Sequence, residues 1–95
     1  MDARQLAKIA AELKALRKRG SVTADDLESL AASLGRTRRG GGSGSHGQWL
    51  SAFPDVRPVT IARHTGDLKI GTKKAIIAAL EEDLALWEVR VEEDG

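Results

Sequence analysis

Ninety-five residues with 15 Lys and Arg against 14 Asp and Glu, a formal net charge of +1, are enough for one small domain with a single modest core. There is no cysteine, and Trp49, Phe53 and Trp87 are the only aromatic residues, which excludes disulfides, thiolate nucleophiles and cysteine zinc sites and leaves the core to aliphatic side chains. The small net charge hides an asymmetry: Lys14 to Lys74 carries twelve cations against five acids, a net +7, while Glu81 onward carries seven acids against Arg90 alone, a net −6.

A basic body with an acidic end suggests an anionic partner for the body. The opening segment MDARQLAKIAAELKALRKRG is amphipathic and charged throughout, so neither a secretory signal nor a membrane span is expected, and the expected compartment is the cytoplasm.

Leu6, Ile9, Leu13 and Leu16 recur at spacings of three and four, which predicts a first helix capped by Asp2 and stopped by Gly20. Arg17, Lys18 and Arg19 then fall in its last turn, where cations favour the negative end of the helix dipole. A second helix is expected after Thr23, with Asp25 and Asp26 in its first turn, Leu27, Leu30, Ala31 and Leu34 on its apolar face, and Gly35 as its close.

Past Gly35 the period changes from helical to alternating. Strands are predicted at 36–39, 47–53 and 58–63, with PDVR at 54–57 as the connecting turn. Trp49, Ser51 and Phe53 share one face of the middle strand, and Val59 and Ile61 share a face of the next. A last helix is expected from about Lys73 to Trp87, with Ile76, Ile77, Leu80, Leu84 and Trp87 facing inward. The resulting fold class is α+β, a three-stranded antiparallel sheet with helices on one face in the order α-α-β-β-β-α. The expected organisation is an N-terminal helical extension at 1–20, a body at 21–87 and an acidic tail at 88–95, in which Trp87, Val89 and Val91 alternate as in a short strand.

Between the first two strands lies RTRRGGGSGSHGQW. Glycine and serine at this density suit a flexible linker, and equally a loop that brings backbone and His46 close to an anion. Fixing such a backbone has a high entropic cost, which predicts a mobile loop at 40–44 in the free protein.

Taken in order, a helix ending in glycine, an arginine-bearing strand, the tripeptide Gly44-Ser45-His46, an aromatic hairpin, a strand leading to His64, and Gly71-Thr72 opening a helix with Ile76 and Ile77 make a recognisable set. From about Thr23 to Leu80 the chain resembles the HicA-type toxins of bacterial toxin–antitoxin pairs, small ribonucleases with a double-stranded-RNA-binding-like fold. The resemblance implies that His46 is the catalytic residue, that the substrate is messenger RNA, and that the partner is a HicB-type antitoxin. The chain departs from the family pattern in its additional N-terminal helix, in the triple glycine before Ser43, and in Ala62 where proline often stands two residues before the second histidine.

RNA carries its own nucleophile in the 2′-hydroxyl, so cleavage needs a base to take that proton and donors to stabilise the charged phosphorane. Histidine, titrating near neutrality, suits His46 to the role of base, with neither cofactor nor metal required. His64 is a candidate second acid or phosphate contact. Two histidines eighteen positions apart, with no cysteine, match no metal-ligand spacing.

Thr72 is expected to cap the last helix, which would set Lys73 and Lys74 in its first turn, against the dipole. A backbone phosphate at that helix end would satisfy the free amides and both lysines. Lys69 and Arg63 extend this track, Arg38 and Arg39 approach from the first strand, and Ser45 joins them beside His46. Two other readings fit the same residues. One is a non-catalytic RNA-binding module; the other is a protein-interaction domain that dimerises through the apolar seam of its first helix, a seam whose width equally suits packing on the chain's own body.

Overall fold

A computed structural model of the chain describes residues 1–39, 46–62 and 68–94. The elements are helices α1 (Ala3–Lys18) and α2 (Ala24–Ser33), strands β1 (Thr37–Arg39), β2 (His46–Leu50) and β3 (Val59–Ala62), and helix α3 (Ile70–Asp94). The α+β class, the order α-α-β-β-β-α and the three-stranded antiparallel sheet are as the sequence predicts.

Both early helices begin in reciprocal caps. Asp2 accepts from the Gln5 amide at 2.8 Å while Gln5 accepts from the Asp2 amide at 3.0 Å, and Thr23 and Asp26 repeat the exchange at the start of α2. Each pair satisfies two amides that a helix start leaves open. Gly35 closes α2 with φ +86°, a left-handed conformation that glycine adopts without steric cost. The indole of Trp87 reinforces this end by donating to the Leu34 carbonyl at 2.7 Å.

Strand order is β1-β2-β3, with Arg38 opposite Trp49, Gln48 opposite Thr60, and Trp49 opposite Val59. The alternation sends Trp49, Val59 and Ile61 into the core and leaves Arg39, Gln48 and Thr60 exposed on the other face. α2 and α3 cover the inner face, and α1 packs chiefly on α3.

Phe53 lies beyond β2, which ends at Leu50 because Ser51 leaves the ladder: its hydroxyl accepts from the Phe53 amide at 3.0 Å and donates to Asp83 at 2.7 Å. The hairpin turn is closed by the Val56 amide on the Phe53 carbonyl, one residue earlier than expected and with Pro54 at the position whose φ it pre-sets.

The termini depart furthest from the expected organisation. α1 is no appendage, since Leu6, Ile9, Leu13 and Leu16 belong to the same core cluster as Leu27, Ile61 and Leu80. An apolar seam buried in the chain's own body is not offered to a second copy, so dimerisation through that seam loses its basis. Likewise 88–94 is neither a frayed tail nor a strand but the last turns of one 25-residue helix. Val91 packs against the core and Arg90 lies 5.2 Å from the Phe53 ring centroid and 5.6 Å from that of Trp87, contacts that carry α3 beyond the expected stop.

α1 and α3 run antiparallel. Arg17 pairs with Glu81 at one end, and Ala3, Leu6 and Ala7 face Glu88, Val91 and Glu92 at the other. The charge asymmetry along the sequence is thus partly folded together. Among the described residues no helix is long and apolar enough to cross a membrane.

Candidate nucleic-acid interface

β2 is the central strand, and what anchors it fixes the position of His46. Trp49 is buried opposite Val59, and Arg36 donates to the Trp49 carbonyl at 2.9 Å from beneath the sheet. His46 opens the strand, paired in register with Ala62 and in phase with Gln48. The glycine loop at 40–44, Ser45, Arg63 and His64 lie outside the described residues.

Arg38 and Arg39 are both exposed, but strand alternation sends them to opposite faces. Arg39 shares a cross-strand row with Gln48 and Thr60, all three exposed. Arg38 crosses over Gly47, where a Cβ would stand 3.0 Å from its Cζ and 3.1 Å from its Nη2. Gly47 therefore lets a guanidinium lie against the backbone of the residue that follows His46. Gly47 and the row of Gln48 and Thr60 are not among the residues that the sequence motifs mark, although their phase relative to Trp49 carries the signal.

The start of α3 differs from expectation. The helix begins at Ile70, and the Lys73 amide donates to the Lys69 carbonyl at 2.9 Å, so Thr72 is the third helical residue and not its cap. Lys69, Thr72 and Lys74 are exposed.

Lys73 has to be removed from the expected phosphate contacts. It is 6% exposed, and its ammonium donates to the Arg19 carbonyl at 2.8 Å, at the C-terminal end of α1. A cation there satisfies an open carbonyl and the negative end of the dipole together. Lys73 thus joins two helices and offers no charge to a ligand.

Arg36 is likewise internal. Its Nε and Nη2 meet the two oxygens of Asp83 at 2.5 and 3.2 Å, and its Nη1 reaches the Trp49 and Arg57 carbonyls at 2.9 and 3.2 Å. The forked guanidinium matches the carboxylate in two bonds and ties β1, β2 and the β2–β3 connection to α3. Of the three arginines in the RTRR run, two remain available at the surface.

The described candidates therefore fall in two places. His46, Arg38 and Arg39 gather on β1 and β2, while Thr72 lines a groove with residues 57–60 beside β3, flanked by Lys69 and Lys74 in the chain. Comparison of the chain with protein-family models, with curated proteins and with solved structures finds no match.

Proposed function

We propose that the chain is an endoribonuclease of the HicA toxin type with a double-stranded-RNA-binding-like fold, cleaving messenger RNA with His46 as general base and held inactive by a HicB-type antitoxin. The observation that carries this reading is the position of His46 at the head of the central strand, within an uninterrupted order α2-β1-β2-β3-α3. Arg38 against Gly47 and the exposed row of Arg39, Gln48 and Thr60 supply cations and neutral donors close to that strand end.

In the proposed reaction the imidazole of His46 takes the proton of a ribose 2′-hydroxyl. The 2′-oxygen forms a bond to the adjacent phosphorus, and the bond from phosphorus to the 5′-oxygen breaks. The products are a 2′,3′-cyclic phosphate and a 5′-hydroxyl, whose oxygen takes up a proton. His64 is the proposed donor of that proton. Arg39, in the exposed row with Gln48 and Thr60, stabilises charge on the phosphorane, and Arg38, on the opposite face, contacts the RNA backbone away from the scissile phosphate; neither reads sequence. No further nucleophile enters, and the chemistry proceeds without a bound metal.

Cleavage of RNA in excess chelator, comparing the parent with His46→Ala and identifying the 3′ ends, tests the proposal. Activity of the parent alone, leaving cyclic phosphate ends, is the expected result. Equal activity of both proteins would sink the assignment of His46. Salt-dependent binding by both, with cleavage by neither, would leave an RNA-binding module.

A further inference from the structure

β3 is an edge strand. In the order β1-β2-β3 it pairs with β2 alone, so backbone N–H and C=O groups on its other side have no ladder partner among the described residues. Beside that free edge runs an open groove of about 400 Å³, walled by residues 57–60 on the strand side and by Thr72, Ala75 and Ile76 of α3 on the other. Ala75 is exposed and small, and Val59 and Ile76 are buried below it.

We propose that this groove binds an extended acidic peptide segment of a partner protein by strand addition to β3. Backbone pairing with the β3 edge would supply affinity, and alternate apolar side chains of the added strand would enter the space over Ala75 and Ile76. The charge of the rim selects the occupant. Arg57 lines the groove and is exposed, Lys74 is exposed on the helical turn that carries Ala75, and among the described residues no acidic side chain lines the groove. Two copies meeting edge to edge would bring two such basic rims together, so a second copy fits worse than an acidic strand. This inference is independent of the ribonuclease reading, for it uses neither His46 nor RNA.

The test uses the full chain and a fluorescein-labelled octapeptide, EVTVEVDE, with EPTPEPDE as a control that keeps the charge but cannot continue a ladder. Binding is read by fluorescence anisotropy, and its location by backbone amide shifts in nuclear magnetic resonance. The expected result is binding of the first peptide only, with shifts concentrated at 57–60 and 72–76. Ala75→Glu, which fills and recharges an exposed helix position, should weaken binding about tenfold or more with the circular dichroism spectrum unchanged. Arg57→Glu should act in the same direction, because the Arg57 carbonyl that receives Arg36 is kept. Equal binding of both peptides, shifts centred elsewhere, or no shift at millimolar peptide would overturn the proposal. So would a parent dimer that Ala75→Glu converts to a monomer, since the occupant would then be a second copy.

Discussion

Arg36 and Asp83, 47 positions apart in the chain, meet in the interior with both side chains fully shielded from solvent. Further hydrogen bonds hold both members: Ser51 donates to the same carboxylate, and the Trp49 and Arg57 carbonyls accept from the guanidinium Nη1. Such a pair adds little net stability over an apolar replacement, yet losing one member leaves a buried charge alone. Asp83→Ala should therefore cost about 3–5 kcal/mol in urea unfolding, and the double variant Arg36→Met, Asp83→Leu distinctly less than either single change. Additive losses in the double variant would show that the pair is not coupled.

Lys73 separates structural from electrostatic roles within a run of adjacent lysines. Lys73→Met removes a charged hydrogen bond to the Arg19 carbonyl and should cost about 1–2 kcal/mol of stability, leaving the salt dependence of RNA binding unchanged. Lys74→Met should do the reverse on the ribonuclease proposal, lowering the slope of log K against log salt by about one with stability within about 0.5 kcal/mol. A slope that falls with Lys73→Met and holds with Lys74→Met would invert this assignment.

Gly47 is required by Arg38 and not by its own backbone, since among the described residues only Gly35 has a positive φ. In Gly47→Ala the new Cβ would displace the end of a flexible side chain, so the fold should lose less than about 1 kcal/mol. On the ribonuclease proposal, RNA affinity should fall as far as in Arg38→Ala, and the double variant should bind no worse than Arg38→Ala alone. Independent losses would mean that Gly47 serves something other than the arginine.

Gly35 is the contrasting case. With φ +86° and a Cβ that would stand 3.4 Å from the Trp87 ring, Gly35→Ala should destabilise by about 1–2 kcal/mol through the left-handed backbone alone. Thermal unfolding of this variant beside Gly20→Ala, where nothing lies within 4 Å of the added atom, isolates the effect.

Removal of residues 1–20 tests whether α1 is an extension or a wall of the core. Because Leu6, Ile9, Leu13 and Leu16 are all buried, and each buried leucine or isoleucine carries about 2–5 kcal/mol against truncation, the shortened chain should lose cooperative unfolding. A shortened chain with an unchanged thermal midpoint would restore the view of 1–20 as a separable appendage.

The local signals in the sequence determined the elements and their sides. The 3.6-residue period of Leu6 to Leu16, the caps at Asp2 and Thr23, the glycine at 35 and the alternation around Trp49, Val59 and Ile61 each act within a few residues, so one chain read in order reveals them. Even the exposed row of Arg39, Gln48 and Thr60 follows from that phase once the register is known. What only the tertiary structure decided is which charges are spent inside. A lysine in GTKK and an arginine in RTRR look like surface cations wherever sequence alone is read, but one closes a helix end 54 positions away and the other is matched to a carboxylate on α3. Likewise the segment from Glu88 onward reads as a tail until Val91 and Arg90 find the core and the aromatic pair. Periodicity and capping are set by neighbours along the chain, whereas the choice of partner for a buried charge is made by packing that brings distant segments together.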